Sequence, residues 1–233
     1  MPVPDRSAAG VVAALESLRS EAELAKVRKR LAADEPAIGM RMRDLFDVAK
    51  THTDLPLTEV ERLLDHPAYE PRMAAMCVLD FQARRRLADD QREQLYVLYC
   101  GRHDRITTWD MVDRAAPRVV GGYLAGRSPA PLYELAEAAE PLRRRTATTA
   151  TLYFVKSGTD DDLAAGFAIA GMLAGDSEPA VHNAVGIFLK HAGTRDPAAL
   201  RRFLADHAGA MPRRAVRLAV EKLDPAERAH YLT

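Results

Sequence analysis

Residues 160–193 read DDDLAAGFAIAGMLAGDSEPAVHNAVGIFLKHAG. An acidic triplet opens the stretch and an apolar run follows to Ala174. Gly175-Asp176-Ser177 interrupts it, and Pro179 begins a second run that Gly193 stops. Carboxylates suit the positive end of a helix, proline fits a first turn, and glycine ends a last one. The spacing predicts a helix over 163–174, a break, and a second helix over 179–191.

Working outward, the same punctuation recurs. Towards the C-terminus it predicts helices over 197–207 and 212–223, and a short one from about residue 225. Towards the N-terminus, 142–156 reads as one helix stopped by Ser157-Gly158, and 129–140 as another. Gly121-Gly122 reads as a loosened turn. Further back come a helix opening at Trp109, then 90–100, 69–84, a helix carrying Leu63 and Leu64, and one carrying Leu45 and Phe46. Residues 9–31 read as one or two helices, with Val11, Val12, Leu15 and Leu18 on one face, continued by Leu24, Val27 and Leu31. No segment alternates with period two. Helix pairs recur roughly every 35–45 residues, the span of HEAT-type repeats, without a strict consensus. The expected fold is all-α, an α-solenoid of HEAT-like helical repeats with one concave face on which a long polymer such as DNA would lie. It is read as a single domain over 1–233, with residues 1–35 as an N-terminal helical cap.

The 33 Lys plus Arg equal the 33 Asp plus Glu, so no global electrostatic pull draws this chain to a polyanion. Any nucleic-acid affinity must come from local clustering. Cys77 and Cys100 are the only cysteines and are expected as buried, reduced thiols; two residues make no metal framework. The histidines are scattered, and no metal site or cofactor is expected. No signal-peptide profile and no membrane-length apolar run is present, so a cytosolic location is expected.

The stretch with the most chemistry is Thr107-Thr108-Trp109-Asp110-Met111-Val112-Asp113, which holds the only tryptophan. Trp109 and Asp113 are four residues apart and share a helix face, with Thr107 or Thr108 as the expected N-cap. An indole beside a carboxylate suits a flat cation. On spacing alone the plainer reading outweighs this: Trp109 in the core and Asp113 paired with an arginine. Arg143-Arg144-Arg145 and the set Lys190, Arg213, Arg214 and Arg217 offer guanidinium and ammonium groups for phosphates, or simply solvated helix faces.

The order of several motifs resembles the AlkD-type DNA alkylation-repair glycosylases, a HEAT-like-repeat family. Gly39-Met40-Arg41-Met42-Arg43-Asp44-Leu45 is similar to the family's Gly-Val-Arg-x-Pro-Asp run, with Arg43 in the proline's place. Tyr69-Glu70-Pro71-Arg72-Met73-Ala74-Ala75 resembles its Glu-x-Arg-x-x-Ala helix. Trp109-Asp110-Met111-Val112-Asp113 matches its Trp-Asp-x-Val-Asp core, and Arg144-Arg145-Thr146-Ala147 its Arg-Arg-x-Ala helix start. Ala184-Val185-Gly186-Ile187-Phe188-Leu189-Lys190 resembles Ala-Ile-Gly-Trp-x-Leu-Arg.

The resemblance implies a metal-independent, monofunctional DNA glycosylase that needs no cofactor. Its partner would be double-stranded DNA containing purines alkylated at N3 or N7, which it attacks without flipping the base into a pocket. It assigns catalysis to Asp113, Trp109 and Arg145. Arg144, Lys156, Ile187, Lys190, Arg213 and Arg214 become candidate DNA contacts. Ile187 stands where the family has a second lesion-facing tryptophan, so one π face is missing. A non-catalytic binder of damaged or branched DNA and a protein-interaction scaffold are the alternatives. No heptad seam suggests self-association, and a monomer is expected.

Overall fold

The computed structural model describes residues 5–232, and among them the regular secondary structure is entirely helical. The chain clusters into two compact units, one ending at Ala115 and the other beginning at Ala116.

The first unit contains α1 (Ala8–Glu16), α2 (Glu21–Arg28), α3 (Met42–Thr51), α4 (Leu57–Leu64), α5 (Tyr69–Ala83), α6 (Asp89–Gly101), a 3-10 turn over His103–Arg105, and α7 (Trp109–Ala116). Its centre is α5, buried continuously over residues 69–80 and packed against α1, α3, α4 and α6. A helix apolar nearly all round must be enclosed. Its polar exceptions have partners: Glu70 accepts the backbone N–H groups of Ile38 and Gly39, both at 2.8 Å, and Arg72 pairs with Glu35. The first turn of α5 thereby fixes the 36–41 segment, joining two stretches that only the sequence pattern had linked.

Gly39 is the hinge of that join. Its φ of +88° lies where L side chains are strained, and an added Cβ would fall 2.4 Å from Leu24 Cβ. Gly39→Ala is expected to cost about 1–3 kcal/mol, read as a lower urea midpoint with an unchanged slope.

The apolar pattern over 9–31 resolves into two helices. Ser17 closes α1, its hydroxyl donating to the Ala14 carbonyl at 2.7 Å, and Ser20 accepts the Glu23 N–H to open α2. Leu18 falls in the turn between them and is exposed rather than on the common face. Cys77 is buried as expected, and burial pushes its thiol up to about 12, so it stays protonated at neutral pH. Cys100 is only half-buried, on a helix whose buried residues are Leu95 and Tyr99.

The second unit begins with a π-helical turn over Pro117–Gly121. It continues with α8 (Gly122–Leu124), α9 (Ala130–Ala136), α10 (Pro141–Ala150), α11 (Leu152–Ser157), α12 (Asp160–Met172), α13 (Pro179–Arg195), α14 (Pro197–His207), α15 (Arg213–Ala219) and α16 (Pro225–Leu232). Its centre is α13, packed against α10, α11, α12, α14 and α15. The 160–193 stretch forms the expected pair, except that Gly193 does not stop the second helix: α13 runs on to Arg195, and Gly193 is buried where an added Cβ would fall 2.2 Å from a Leu200 methyl. Thr159 and Asp162 cap α12 reciprocally, hydroxyl to backbone N–H at 3.1 Å and carboxylate to backbone N–H at 2.8 Å.

Further expectations change here: the helices expected over 129–140 and 212–223 end at Ala136 and Ala219. The single helix over 142–156 is divided at Thr151, whose hydroxyl donates to the Thr148 carbonyl at 2.6 Å. Such back-bonding from a β-branched hydroxyl competes with the helix ladder. Gly121 does not loosen a turn: it ends the π turn where the Ala150 carbonyl comes so close that a Cβ would sit 2.0 Å away. The wide π turn also accommodates Pro117, which has no N–H to give.

Candidate active site

The first unit holds Trp109 and Asp113 on α7, and the neighbouring residues of that helix explain how they are presented. Asp110 and Arg114, also one turn apart, anchor it. Asp110 accepts the Tyr69 hydroxyl at 2.7 Å, Arg30 at 2.8 Å and the Thr108 hydroxyl at 2.5 Å. Tyr69 is fully buried; that burial, and next the Asp110 charge, raise its hydroxyl far above the ordinary tyrosine range, so it remains a donor. Arg30 also lies 5.2 Å over the Tyr69 ring. The Thr107 hydroxyl donates to Glu35 at 2.5 Å.

Arg114 is held differently. Its guanidinium lies 4.6 Å from the Phe46 ring centre and 4.7 Å from that of Phe81, and pairs with Asp80 at 3.0 Å. Met111, Val112 and Ala115 are buried between these anchors. With both the Asp110/Arg114 face and the apolar face committed to the protein, the Trp109/Asp113 face is turned elsewhere, about 100° around the helix from the anchors.

The exposure of Trp109 bears on the first half of the plainer sequence reading, which put the indole in the core. It is 52% exposed, while Asp113 is half-buried. The tryptophan is therefore not a core residue. As the only tryptophan, it reports on itself: native emission is expected to be red-shifted and strongly quenched by acrylamide, and Trp109→Phe to remove the tryptophan signal.

The second unit carries the remaining candidates, in three states. Arg145 is 3% exposed and donates to the Ala180 carbonyl in the first turn of α13. Arg144 and Lys190 are engaged inside the unit. Arg144 bonds Asp176 at 2.6 Å and the Ala138 and Ala139 carbonyls at 2.9 and 2.6 Å; the Asp176 hydrogen bond, foremost, raises its pKa. Lys190 pairs with Glu221 at 2.6 Å. Lys156, Arg213 and Arg214 are exposed, and none has an ion pair among the described residues. Ile187 is half-buried on α13, and Phe188 beside it points into the core, 5.5 Å from Phe167.

Of the anchoring residues, Asp80, Arg30 and Arg114 did not stand out in the sequence, and Tyr69 stood only at the head of a motif, with no role. Part of the signal was there: Asp80 and Arg84 at i,i+4, and Asp110 and Arg114 at the same spacing, one residue out of phase with Trp109 and Asp113.

Comparison with known proteins bears on the fold and the family. No curated protein matches the chain. Among solved structures, one described as a predicted DNA alkylation repair enzyme from Enterococcus faecalis superposes with a TM-score of 0.68 at 14% identity, covering 89% of this chain and 97% of the other. At that identity the likeness is one of fold. A family model described as DNA alkylation repair enzyme matches residues 11–223. With nearly its whole length matched, the chain belongs to the DNA alkylation repair enzyme family.

Proposed function

We propose that this protein is a DNA glycosylase that hydrolyses the N-glycosidic bond of purines alkylated at N3 or N7, without a metal. The observation that carries the reading is the exposed Trp109 with Asp113 one turn on, in a chain of the DNA alkylation repair family. An N3- or N7-alkylpurine is cationic. When its bond to C1′ breaks, the bonding pair neutralises the departing base, so no general acid has to protonate it. Positive charge grows on the sugar instead. The Asp113 carboxylate stabilises that charge and orients the water whose oxygen bonds to C1′ and whose proton passes to solvent.

Trp109 offers its face to the lesion nucleotide, adding roughly 0.5–2 kcal/mol of cation–π attraction. Its exposure suits action at the surface of the duplex rather than on a base drawn into a cavity. Arg145, through the Ala180 carbonyl, acts as a positioning residue for α13, where Ile187 supplies apolar contact. Lys156, Arg213 and Arg214 take phosphates. Arg144 and Lys190 would have to leave Asp176 and Glu221 to do so.

The test is release of 7-methylguanine from methylated duplex DNA, separated by chromatography and compared between wild type and Asp113→Asn. Equal release by the two, or none by wild type, sinks the catalytic reading. Ile187, lacking the π face of an indole, favours a second reading, a non-catalytic binder of damaged DNA. Tight, salt-sensitive binding without base release would establish it. In either case duplex DNA is expected to shield Trp109 from acrylamide.

A further inference from the structure

The helix α13 is enclosed on most sides. Val181, Val185, Phe188, Leu189 and Ala192 are buried, whereas Ala180, Asn183, Ile187 and Lys190 are half-buried. Those four recur at spacings of three and four residues and therefore form one stripe along the helix. Three of them are accounted for. The Ala180 carbonyl accepts from Arg145, Ile187 is apolar, and the Lys190 ammonium is held by Glu221.

Asn183 is the exception. Its carboxamide oxygen is shut away from water and has no hydrogen-bond partner. The amide nitrogen is not among the buried unpartnered atoms, nor does the side chain bond any described residue, so that nitrogen is not sealed from solvent. A planar amide with its oxygen turned inward presents its two N–H donors on the other limb. Native proteins rarely leave a buried acceptor unpaired, and such a group calls for a reason. Here the cost falls on a side chain one turn from Ile187, between the turn that Arg145 fixes and the face assigned to DNA.

We propose that Asn183 is a DNA-backbone contact, its carboxamide Nδ2 donating to a non-bridging phosphate oxygen of the strand that lies on Ile187. Phosphate oxygens only accept, so the amide nitrogen is the limb that serves. A neutral donor also adds no charge to the stripe, so the strand is held beside Ile187 without a counterion-linked attraction. The inference rests on the DNA-binding reading of α13 given above.

Its chemistry separates it from the basic contacts. A Lys or Arg on phosphate releases counterions, and its loss lowers the slope of log affinity against log salt by about one. An amide releases none. The experiment is fluorescence-anisotropy titration of a duplex carrying a tetrahydrofuran abasic-site analogue, over a salt series. Asn183→Ala is expected to weaken binding about 3–10-fold at every salt concentration, with the slope unchanged. Arg213→Ala is expected to reduce the slope. Asn183→Asp, with the same shape but only acceptors and a like charge, is expected to lose more than Asn183→Ala.

Stability completes the test. Because the buried oxygen has no partner to lose, Asn183→Ala is expected to unfold at the same or a higher temperature. Wild-type affinity in Asn183→Ala or Asn183→Asp, or a lowered unfolding temperature in Asn183→Ala, overturns the assignment. Absence of duplex binding by wild type would instead remove the functional reading on which it stands.

Discussion

Asp113→Asn is expected to slow base release by about a hundred- to a thousandfold while the protein stays folded. The magnitude follows from the charge it removes. A carboxylate about 4 Å from a developing cation, at an effective dielectric near 20, contributes on the order of 4 kcal/mol, and each 1.4 kcal/mol is about tenfold in rate. Asparagine keeps the shape and part of the dipole, which sets the lower end. The loss belongs to the chemical step, because the sugar carries its positive charge only on the way to the transition state. Binding should move the other way: a carboxylate repels the phosphate backbone, so Asp113→Asn is expected to hold abasic-analogue duplex as tightly as wild type or more so. Single-turnover release and anisotropy titration read the two effects separately. A fall in affinity matching the fall in rate would point to disrupted structure instead. Trp109→Ala, by contrast, gives up roughly 0.5–2 kcal/mol.

The second large effect is on stability. Asp80 is fully buried in α5 and faces two guanidinium groups, Arg84 at 2.6 Å and Arg114 at 3.0 Å. Asp80→Ala leaves Arg114 between Phe46 and Phe81 without that counter-charge. Removing one partner of a buried pair costs about 3–5 kcal/mol, which for a chain of this size lowers the thermal midpoint on the order of 10 °C. Replacing both partners with apolar side chains, Asp80→Leu with Arg114→Met, is expected to recover most of that loss, because desolvation had offset much of the attraction. The double variant is then folded but lacks one of the two anchors of α7. Its base release is expected to fall further than its stability does. Calorimetry alongside the release assay measures both; a double variant as unstable as Asp80→Ala would show that the pair is a net stabiliser.

These two residues show where reading a sequence stops. Trp109 and Asp113 were visible as an i,i+4 pair, since helix periodicity is local and needs no knowledge of the rest of the chain. Whether Trp109 met water or core was not visible. That depended on Tyr69, Arg30 and Asp80, which lie 40, 79 and 29 residues away in the chain and which fix α7 by its Asp110 and Arg114 side. The basic residues divide the same way. Arg144 and Lys190 looked equivalent to Arg213 and Arg214 as solvated cations, yet Asp176 and Glu221, 32 and 31 residues downstream, take the first two and leave the second two exposed.

By itself, then, the order of residues determined the all-helical class, most helix starts and the face shared by Trp109 and Asp113. Each of these follows from backbone hydrogen bonding and periodicity within a few turns. Local signals erred where a contact intervened: the Ala150 carbonyl closing on Gly121, and the Thr151 hydroxyl turning back on Thr148. Only the tertiary structure decided that Trp109 is exposed, that Arg145 is buried and that the Asn183 oxygen is left without a partner. Burial and pairing depend on which distant side chain arrives, and that is settled by packing rather than by neighbours in the chain.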